Sequence, residues 1–239
     1  MAAINRTEYE RLVAVGRSLL PEVRIGRPGR ARTYWLTIGA MRVLRLRWRV
    51  RVEGDKSVLP GAAILVGNHV SAMDPVATVM SHWWRVTAFT KVEVYQKRGA
   101  IFFRLMGQIP LRRGDEVVTE WALTMAGVTL ADGNKVGIYP EGTRSPDPRR
   151  LHRLHPRILI PLVRAHPDVP VHAIHTEYSD GRFRHDVAVR LSSRLALDPD
   201  SSDEDMIRVI REALLALGGQ EYTDESAASV KKRAAGQQG

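Results

Sequence analysis

A histidine and an aspartate five residues apart, His69 and Asp74, have the side chains and the spacing that acid–base chemistry requires. They follow an apolar run at 62–66 that predicts a strand, and Pro75 begins a segment with helical spacing. Because aspartate is a favoured helix N-cap and proline a favoured first helical residue, we expect Asp74 at a helix N-terminus, where the helix dipole favours its anionic form. From there its carboxylate can reach the imidazole, keep one ring nitrogen of His69 protonated and leave the other free as a base.

The same spacing also fits other interpretations. In a purely structural one, Asp74 only caps its helix and His69 is a loop residue. Ser71 could be a nucleophile, but a serine two residues from its base is not a usual triad arrangement. A metal held by His69 and Asp74 lacks an evident third ligand. The sequence contains no cysteine, which excludes thiolate nucleophiles, disulfides and Cys-ligated metals.

The composition is that of a globular protein with a basic N-terminal segment. The 239 residues are ample for a core, and the net charge is +10. Residues 1–51 hold 12 arginines and three glutamates, a net charge of +9, which predicts a basic face for nucleic acid or anionic lipid. No stretch resembles a signal peptide or approaches the roughly 20 apolar residues of a membrane span. We therefore expect a cytosolic protein, unless a surface holds it to a membrane.

Residues 33–48 predict an amphipathic helix. Apolar side chains recur at spacings of three and four, at Tyr34, Trp35, Ile38, Met41, Leu44 and Trp48, and arginines occupy another side. Such a helix suits a bilayer interface. It equally suits packing on the domain core, because both roles need the same apolar stripe. A nucleic-acid helix is less favoured, since that role does not require the tryptophan-rich face.

The rest of the chain alternates predicted strands with predicted helices. Strands are predicted at 47–53, 62–66, 86–91, 135–139, 169–175 and 186–191. Helices are predicted at 5–20, 76–84, 99–106, 116–131, 157–165 and 200–217. Residues 146–156 are predicted to be a loop, Asp180-Gly181 a hairpin-like turn, and 219–239 a disordered tail. This alternation predicts an α/β fold with a mostly parallel central sheet flanked by helices.

Loops that leave parallel strands gather at one edge of a sheet. The His69 loop, the segment that ends at Arg112 and the loop from Glu141 each follow a predicted strand. A base at this edge could deprotonate an incoming hydroxyl while arginines hold an anionic acceptor, since a guanidinium binds phosphate in a bidentate manner. Gly142 would let the backbone approach the ligand, and the Thr143 hydroxyl can donate a hydrogen bond to it.

Four short blocks follow one another with the order and spacing of a known family. They are Asn68-His69-x-Ser71-x-x-Asp74, Gly107-x-Ile109-Pro110-x-Arg112, Tyr139-Pro140-Glu141-Gly142-Thr143-Arg144-Ser145 and Val169-Pro170-Val171. Each is weak alone, but together they span about half of the chain. On these blocks the sequence resembles the glycerolipid acyltransferases, typified by 1-acylglycerol-3-phosphate (lysophosphatidic acid) acyltransferase.

The resemblance implies a reaction and a set of roles. His69 would be the general base on the acceptor hydroxyl, which attacks an acyl thioester without forming an acyl-enzyme, and Asp74 would orient His69. The acceptor phosphate or glycerol would be bound by Arg112, Glu141, Gly142, Thr143 and Arg144. The acceptor would be a lysophospholipid, above all 1-acylglycerol 3-phosphate, in phospholipid biosynthesis. No metal or cofactor is implied, and acyl-CoA or acyl carrier protein would be the co-substrate.

The resemblance also implies an organisation for the chain. Residues 1–51 would be a basic amphipathic helical pair docked on an anionic membrane surface, and 52–218 the acyltransferase domain, followed by the tail. The protein would be peripheral (monotopic) on the cytoplasmic face of the cell membrane, without a nucleic-acid partner. Another lyso-lipid or glycerol 3-phosphate is the alternative acceptor. A non-catalytic basic membrane-binding protein is the alternative from a different class.

The sequence departs from the family between the third and fourth blocks. Residues 151–158 lack the Phe-Lys-x-Gly-like element that helps to shape the acceptor pocket in the family. We expect His152 and His155, which lie in this segment, to be exposed loop residues. Arg113, beside Arg112, either adds phosphate affinity or is solvated.

Overall fold

The fold is described by a computed structural model for residues 6–26, 31–44, 46–54, 60–96, 100–180 and 184–236. Within them the helices are α1 (Arg6–Leu19), α2 (Ala31–Leu44), α3 (Asp74–His82), α4 (Val92–Tyr95), α5 (Ala100–Leu105), α6 (Glu116–Ala131), α7 (Pro156–Ala165), α8 (Asp203–Gly218) and α9 (Ala227–Gly236). The strands are β1 (Trp48–Gly54), β2 (Ala63–Gly67), β3 (Val86–Lys91), β4 (Ile109–Leu111), β5 (Lys135–Ile138), β6 (Arg150–His152), β7 (Val171–Asp180), β8 (His185–Leu191) and β9 (Glu221–Thr223).

Seven of the described strands form one sheet, in the order β1-β8-β7-β2-β5-β3-β4. Every neighbouring pair is parallel except β7 and β8, which are antiparallel. The predicted α/β fold with a mostly parallel central sheet is therefore confirmed. Of the predicted hairpin turn, Asp180 ends β7, and Gly181 lies outside the described residues.

Strand β2 lies at the centre of the sheet and is covered on both faces. Ile64 and Val66 pack into an apolar cluster with α1, α6, α7 and α8. Ala63 and Leu65, which alternate with them, pack into a second cluster with α2 and α3. All five residues of β2 are buried. Burial on both faces explains why this strand is a continuous apolar run.

Strand β7 extends beyond its neighbour β2. β2 ends at Gly67, opposite Ile174, whereas β7 continues to Asp180. Along this extension β7 pairs with the antiparallel β8, and Tyr178 lies opposite Val187. The extension therefore carries side chains of β7 past the sheet edge at which β2 ends.

The first predicted helix is present as α1 and belongs to the core. Tyr9 and Leu12 are buried. Trp121 of α6 donates a 2.8 Å hydrogen bond from its indole nitrogen to the carbonyl of Leu12. The apolar face of α1 thus packs against the core.

The second predicted helix is shorter than expected, because α2 ends at Leu44 and Trp48 begins β1. Three members of its predicted apolar stripe, Tyr34, Ile38 and Met41, are buried. The hydroxyl of Tyr34 also donates a 2.7 Å hydrogen bond to the carbonyl of Trp84. The stripe therefore packs on the core, and the predicted membrane-docking helical pair is not confirmed. Trp35, also predicted in the stripe, is instead exposed, and it lies with the exposed Leu36 and Val43 on another side of the helix.

The C-terminal region at 219–239 was predicted to be a disordered tail, but the structure contains a strand and a helix there. Helix α8 is capped by Ser202, whose hydroxyl accepts from the amide of Asp205, and it ends at Gly219, which has a φ of 61°. Beyond it lie β9 and α9. Strand β9 pairs in parallel with β6, so the segment predicted as a loop at 146–156 contains a strand. This pairing fixes the C-terminal region to the main domain.

Among the described helices, none combines the length and the apolar composition needed to cross a bilayer.

Candidate active site

His69 and Asp74 form a close pair at the end of the central strand. Nδ1 of His69 lies 2.7 Å from Oδ2 of Asp74. The aspartate side chain is completely buried, while 20% of the histidine side chain is exposed. Because a carboxylate only accepts hydrogen bonds, the proton of a neutral His69 is held on Nδ1. Its Nε2 is then unprotonated and can act as a base.

Asp74 lies at the N-terminus of α3, as predicted, but it is not the cap residue. Met73 occupies the cap position without a side-chain hydrogen bond, and Asp74 is the first residue of α3. Its Oδ2 instead accepts the backbone N–H groups of Val70 and Ser71, each at 2.9 Å. The carboxylate therefore folds back over the turn that carries His69 and fixes the turn and the ring together.

Tyr178 holds the other oxygen of Asp74. Its hydroxyl donates a 2.8 Å hydrogen bond to Oδ1. Burial raises the pKa of Tyr178, and the charge of Asp74 raises it further, so the hydroxyl stays protonated. No sequence pattern indicates this contact, because Tyr178 lies 104 positions from Asp74. Only the extension of β7 brings it to the site.

The loop after β5, residues 139–145, braces the His69 loop. The rings of His69 and Tyr139 are stacked, with centroids 4.7 Å apart. The amide of Ser145 donates to the carbonyl of His69. Gly67 allows this approach, since a Cβ at that position would lie 2.8 Å from the Tyr139 ring.

Glu141 links three segments from a buried position. Oε1 accepts the amide of His69 at 2.7 Å, and Oε2 accepts the amide of His152 at 3.1 Å. Burial raises the pKa of Glu141 to about 7. The hydrogen bonds from the two amides lower this pKa and offset part of the rise. Both oxygens are thus used to position backbone. The predicted contact of Glu141 with a substrate stays a prediction.

The two arginines after β4 have different partners. Arg112, the predicted phosphate ligand, donates to the carboxylates of Glu22 and Asp115. Arg113 instead donates from Nη2 to the carbonyl of Gly142. Gly142 has a φ of 67°, which favours glycine. Arg113 is therefore the arginine that the structure brings to the loop after β5.

Three cations lie near this loop and are called the cationic cluster: Lys91, Arg113 and Arg144. Lys91 ends β3, and its pKa is lowered by burial and then by the charges of Arg113 and Arg144. Arg144 is exposed and Thr143 is half-buried. Among the described residues, no carboxylate forms an ion pair with any member of the cluster. Lys91 had no signal in the sequence, because only folding brings β3 beside the loop.

The two histidines of the divergent segment have different environments. His155 is exposed, as expected. His152 is buried, contrary to expectation, because β6 pairs with β9 on that side. Nδ1 of His152 lies 3.2 Å from the carbonyl of Glu225. His152 therefore contributes to the attachment of the C-terminal region.

A cavity of about 590 Å³ lies on the other side of the His69 turn. Its wall includes Val70 and Ser71, together with Tyr178 and the residues that follow α8. Neither His69 nor the cationic cluster lines it. The cavity thus adjoins the His–Asp pair from the side of Tyr178 and does not contain the reacting groups.

Within the described part of the chain, no three His, Asp or Glu side chains are grouped so that they could hold a metal ion. The arrangement around His69 is that of an oriented imidazole beside unpaired cations. Chemically, it can take a proton from a hydroxyl group near a bound anion.

Comparison with known proteins assigns the fold and the family. Among solved structures, the chain is similar to the 1-acyl-sn-glycerophosphate (LPA) acyltransferase PlsC from Thermotoga maritima, with 20% sequence identity and a TM-score of 0.52. The match covers 88% of this chain and 81% of that one. No curated protein matched the sequence. The model of the family described as Acyltransferase matches residues 49–176, more than half of the chain. This range includes the His–Asp pair and the loop after β5, and the chain belongs to the Acyltransferase family.

Proposed function

We propose that this protein transfers a fatty acyl group from a thioester donor to the hydroxyl of a lysophospholipid, namely 1-acylglycerol 3-phosphate. The observation that carries the proposal is the pair of His69 and Asp74 on a turn that is braced by the loop bearing Arg144. A general base and unpaired cations thus lie on two connected loops. A phosphate-bearing alcohol is the kind of substrate that uses both.

The reaction needs one base and no covalent intermediate on the protein. Nε2 of His69 takes the proton of the acceptor hydroxyl as its oxygen attacks the thioester carbonyl. The carbon–sulfur bond then breaks, and the imidazolium returns the proton to the departing thiolate. Asp74 stabilises the imidazolium through Nδ1–H, and Tyr178 keeps the carboxylate in place. The products are the acylated lipid and the free thiol, either CoA or holo-acyl carrier protein.

The acceptor phosphate would be bound by the cationic cluster. Arg144 and Arg113 suit a phosphate because each guanidinium offers several donors in one plane. Lys91 adds a third positive charge. The Thr143 hydroxyl can donate a further hydrogen bond, as the sequence predicted. Arg112, which is paired with two carboxylates, is assigned to positioning rather than to the phosphate.

We further propose that the protein binds peripherally to an anionic membrane, on the cytoplasmic face. The contact would be made by exposed apolar side chains of α2, of the turn after it and of α5, which packs against α2. These side chains, called the α2 patch, are Trp35, Leu36, Val43, Leu46, Ile101 and Leu105. Leu36 is the most exposed of these side chains, at 78%, and a group of exposed apolar side chains is typical of a membrane interaction site. The guanidinium of Arg42 lies over the Trp83 ring, 5.2 Å from its centroid, and adds positive charge to this side.

A panel of acceptors tests the reaction through the release of free thiol from acyl-CoA. We expect turnover with 1-acylglycerol 3-phosphate and little with the corresponding monoacylglycerol, which lacks the phosphate. Preferred turnover with glycerol 3-phosphate or another lyso-lipid would replace the acceptor. No thiol release with any acceptor or donor would leave the non-catalytic membrane-binding alternative.

The variant His69→Ala tests the base. A positioned general base contributes on the order of 10²–10⁴ in rate, so most turnover should be lost. The matched control is His185→Ala, because His185 and Asp180 form a second pair five residues apart, with 2.8 Å between Nδ1 and Oδ1, on the exposed surface. Turnover of His185→Ala should equal that of the wild type. Full activity in His69→Ala would contradict the mechanism.

A further inference from the structure

The C-terminal helix α9 is held against the segment that follows the loop after β5. Strand β9 pairs with β6, and the amide of Arg153 donates to the carbonyl of Glu225 at 3.2 Å. The side chain of Arg153 also pairs with Asp224. These contacts fix the start of α9 close to His152, whose amide binds Glu141. Helix α9 is thereby coupled to the candidate site through a single buried carboxylate.

One face of α9 is turned toward the protein. Ala227 is buried, and Val230 and Lys231, three and four residues further on, are half-buried. Lys232 and Arg233 are exposed. Since residues at these spacings share one helix face, Lys231 lies on the inner face and Lys232 does not.

Lys231, on this inner face, lies close enough to groups of the candidate site to interact with their charges. Its pKa is lowered by burial first and then by the charge of Arg144, while the charge of Glu141 raises it. The charge of Lys231 in turn lowers the pKa of Lys91. Among the described residues, no carboxylate forms an ion pair with Lys231. Lys91 thus lies within electrostatic reach of three further cations, Arg113, Arg144 and Lys231. The carboxyl groups of Glu93, beside Lys91, and of Glu141, beside Lys231, offset only part of this positive charge.

Such an arrangement is unfavourable without an anion. Like charges at close range repel, and the repulsion is strongest where burial reduces screening by water. A phosphate monoester carries up to two negative charges and three acceptor oxygens, and it would neutralise most of the excess. The acceptor of the proposed reaction carries this group.

We propose that Lys231 is a fourth cationic ligand of the acceptor phosphate, so that α9 completes the binding site from outside the matched family region at 49–176. This inference rests on the proposed function for the identity of the ligand. It assigns α9 a role in substrate binding that none of the four sequence blocks contains.

The test compares Lys231→Ala with Lys232→Ala, its exposed neighbour on the same helix, in the full-length protein. We expect Lys231→Ala to raise the KM for 1-acylglycerol 3-phosphate by about tenfold or more, because the phosphate would lose a hydrogen bond from a charged group. The KM for acyl-CoA should stay within about twofold of the wild type, and Lys231→Arg should restore most of the affinity. Equal kinetics for Lys231→Ala and Lys232→Ala would overturn the inference. A rise in the acyl-CoA KM alone would also overturn it, because it would assign Lys231 to the phosphates of the donor.

A second measurement separates this inference from the proposed function. Inorganic phosphate should raise the Tm of the wild type and of Lys232→Ala, whereas Lys231→Ala should need about tenfold more phosphate for the same rise. If the wild type is inactive with every acceptor, the proposed function fails, and this titration still decides the role of Lys231. A Tm that phosphate does not change in the wild type, or changes equally in all three proteins, overturns the inference.

Discussion

The hydroxyl of Tyr178 donates a 2.8 Å hydrogen bond to Oδ1 of Asp74, whose Oδ2 lies 2.7 Å from Nδ1 of His69. A residue of β7 therefore fixes the carboxylate that orients the imidazole. The three side chains come from the turn after β2, the start of α3 and the extension of β7. Their alignment depends on the register of the central sheet as well as on the local sequence around His69.

The variant Asp74→Asn tests whether Asp74 orients His69 for catalysis without contributing to substrate binding. An amide cannot hold a proton on Nδ1 of His69 and stabilise an imidazolium as a carboxylate does, so turnover should fall by on the order of 10²–10⁴. The KM for both substrates should change little. Steady-state thiol release measures the effect, and near-ultraviolet circular dichroism checks that the fold is retained. Wild-type turnover in a folded Asp74→Asn protein would contradict the assigned role.

The variant Tyr178→Phe should lower both stability and turnover. It leaves Oδ1 of a buried carboxylate without its donor, which should cost about 1.5–3 kcal/mol in the free energy of unfolding. We expect kcat to fall by about tenfold with unchanged KM, since His69 would be less well oriented. Tyr222→Phe is the matched control. The hydroxyl of Tyr222 likewise donates to an aspartate, Asp224, at 3.0 Å, but this contact lies at the exposed surface. That control should change stability by no more than about 0.5 kcal/mol.

Arg113→Ala and Arg112→Ala should give different kinetics, although the residues are adjacent. Arg113 contacts the loop after β5 and belongs to the cationic cluster, so its loss should raise the acceptor KM by about tenfold or more. Arg112 is already paired with Glu22 and Asp115, so its loss should leave the acceptor KM nearly unchanged. Kinetics with varied acceptor at saturating acyl-CoA measure both values. A larger rise in the acceptor KM for Arg112→Ala than for Arg113→Ala would show that Arg112 binds the phosphate, as the sequence predicted.

The buried carboxyl group of Glu141 should make stability depend on pH. Its pKa in the folded protein is about 7, above its ordinary value of 4.5, because of burial. The folded state therefore binds the proton more tightly than the unfolded state does. Its contribution is fully present below about pH 4.5 and is lost as the pH rises through about 7, by up to roughly 3 kcal/mol.

Urea unfolding of the wild type and of Glu141→Gln across pH 4.5–8.5 measures this contribution. The variant has no titratable group at this position. The contributions of all other titratable groups therefore cancel when the unfolding free energy of the variant is subtracted from that of the wild type. The stability of the wild type relative to the variant should decrease as the pH rises. The variant itself should be destabilised by about 1–3 kcal/mol near neutral pH, because its amide nitrogen cannot accept a backbone N–H. A relative stability that increases with pH would contradict the assigned environment of Glu141.

Substitution of Leu36 tests the α2 patch. Leu36→Asp should reduce flotation with phosphatidylglycerol vesicles by about tenfold or more, since burying a leucine contributes about 1.5–3 kcal/mol. The control is Val117→Asp on α6, at an apolar side chain that is 60% exposed and lies outside the patch. Equal flotation of the two variants would remove the patch from membrane binding. Thiol release with a short-chain, soluble acceptor should be unchanged in Leu36→Asp.

Local patterns predicted much of the fold, because the elements concerned have strong periodicity and clear ends. Helix α6 was predicted with the observed bounds, and it is bordered by Asp115, which accepts from the amide of Val118, and by a turn at Gly133. Strand β3 was likewise predicted at its observed bounds. The pairing of β6 with β9 was not predicted. Three-residue strands have no detectable period, and their partners lie about 70 residues apart in sequence.

Only the local contacts of the candidate site could be predicted from the sequence. The contact between His69 and Asp74 could be predicted, because both residues lie on one turn and the spacing limits the geometry. Tyr178 and Lys91 could not, because each reaches the site through the strand order of the sheet. The choice between Arg112 and Arg113 depended on which carboxylates lay nearby, and Glu22 belongs to the N-terminal region.

The extension of β7 past β2 makes the site sensitive to changes in chain length. Side chains of a strand alternate between the two faces of a sheet. Insertion of one residue between Ile174 and Tyr178 would therefore turn the tyrosine to the opposite face, while the buried part of β7 could keep its pairing with β2. Insertion of two residues would restore the face but move the hydroxyl by about 7 Å along the strand. The distance in residues from Ile174, the partner of Gly67, to Tyr178 must therefore stay at four.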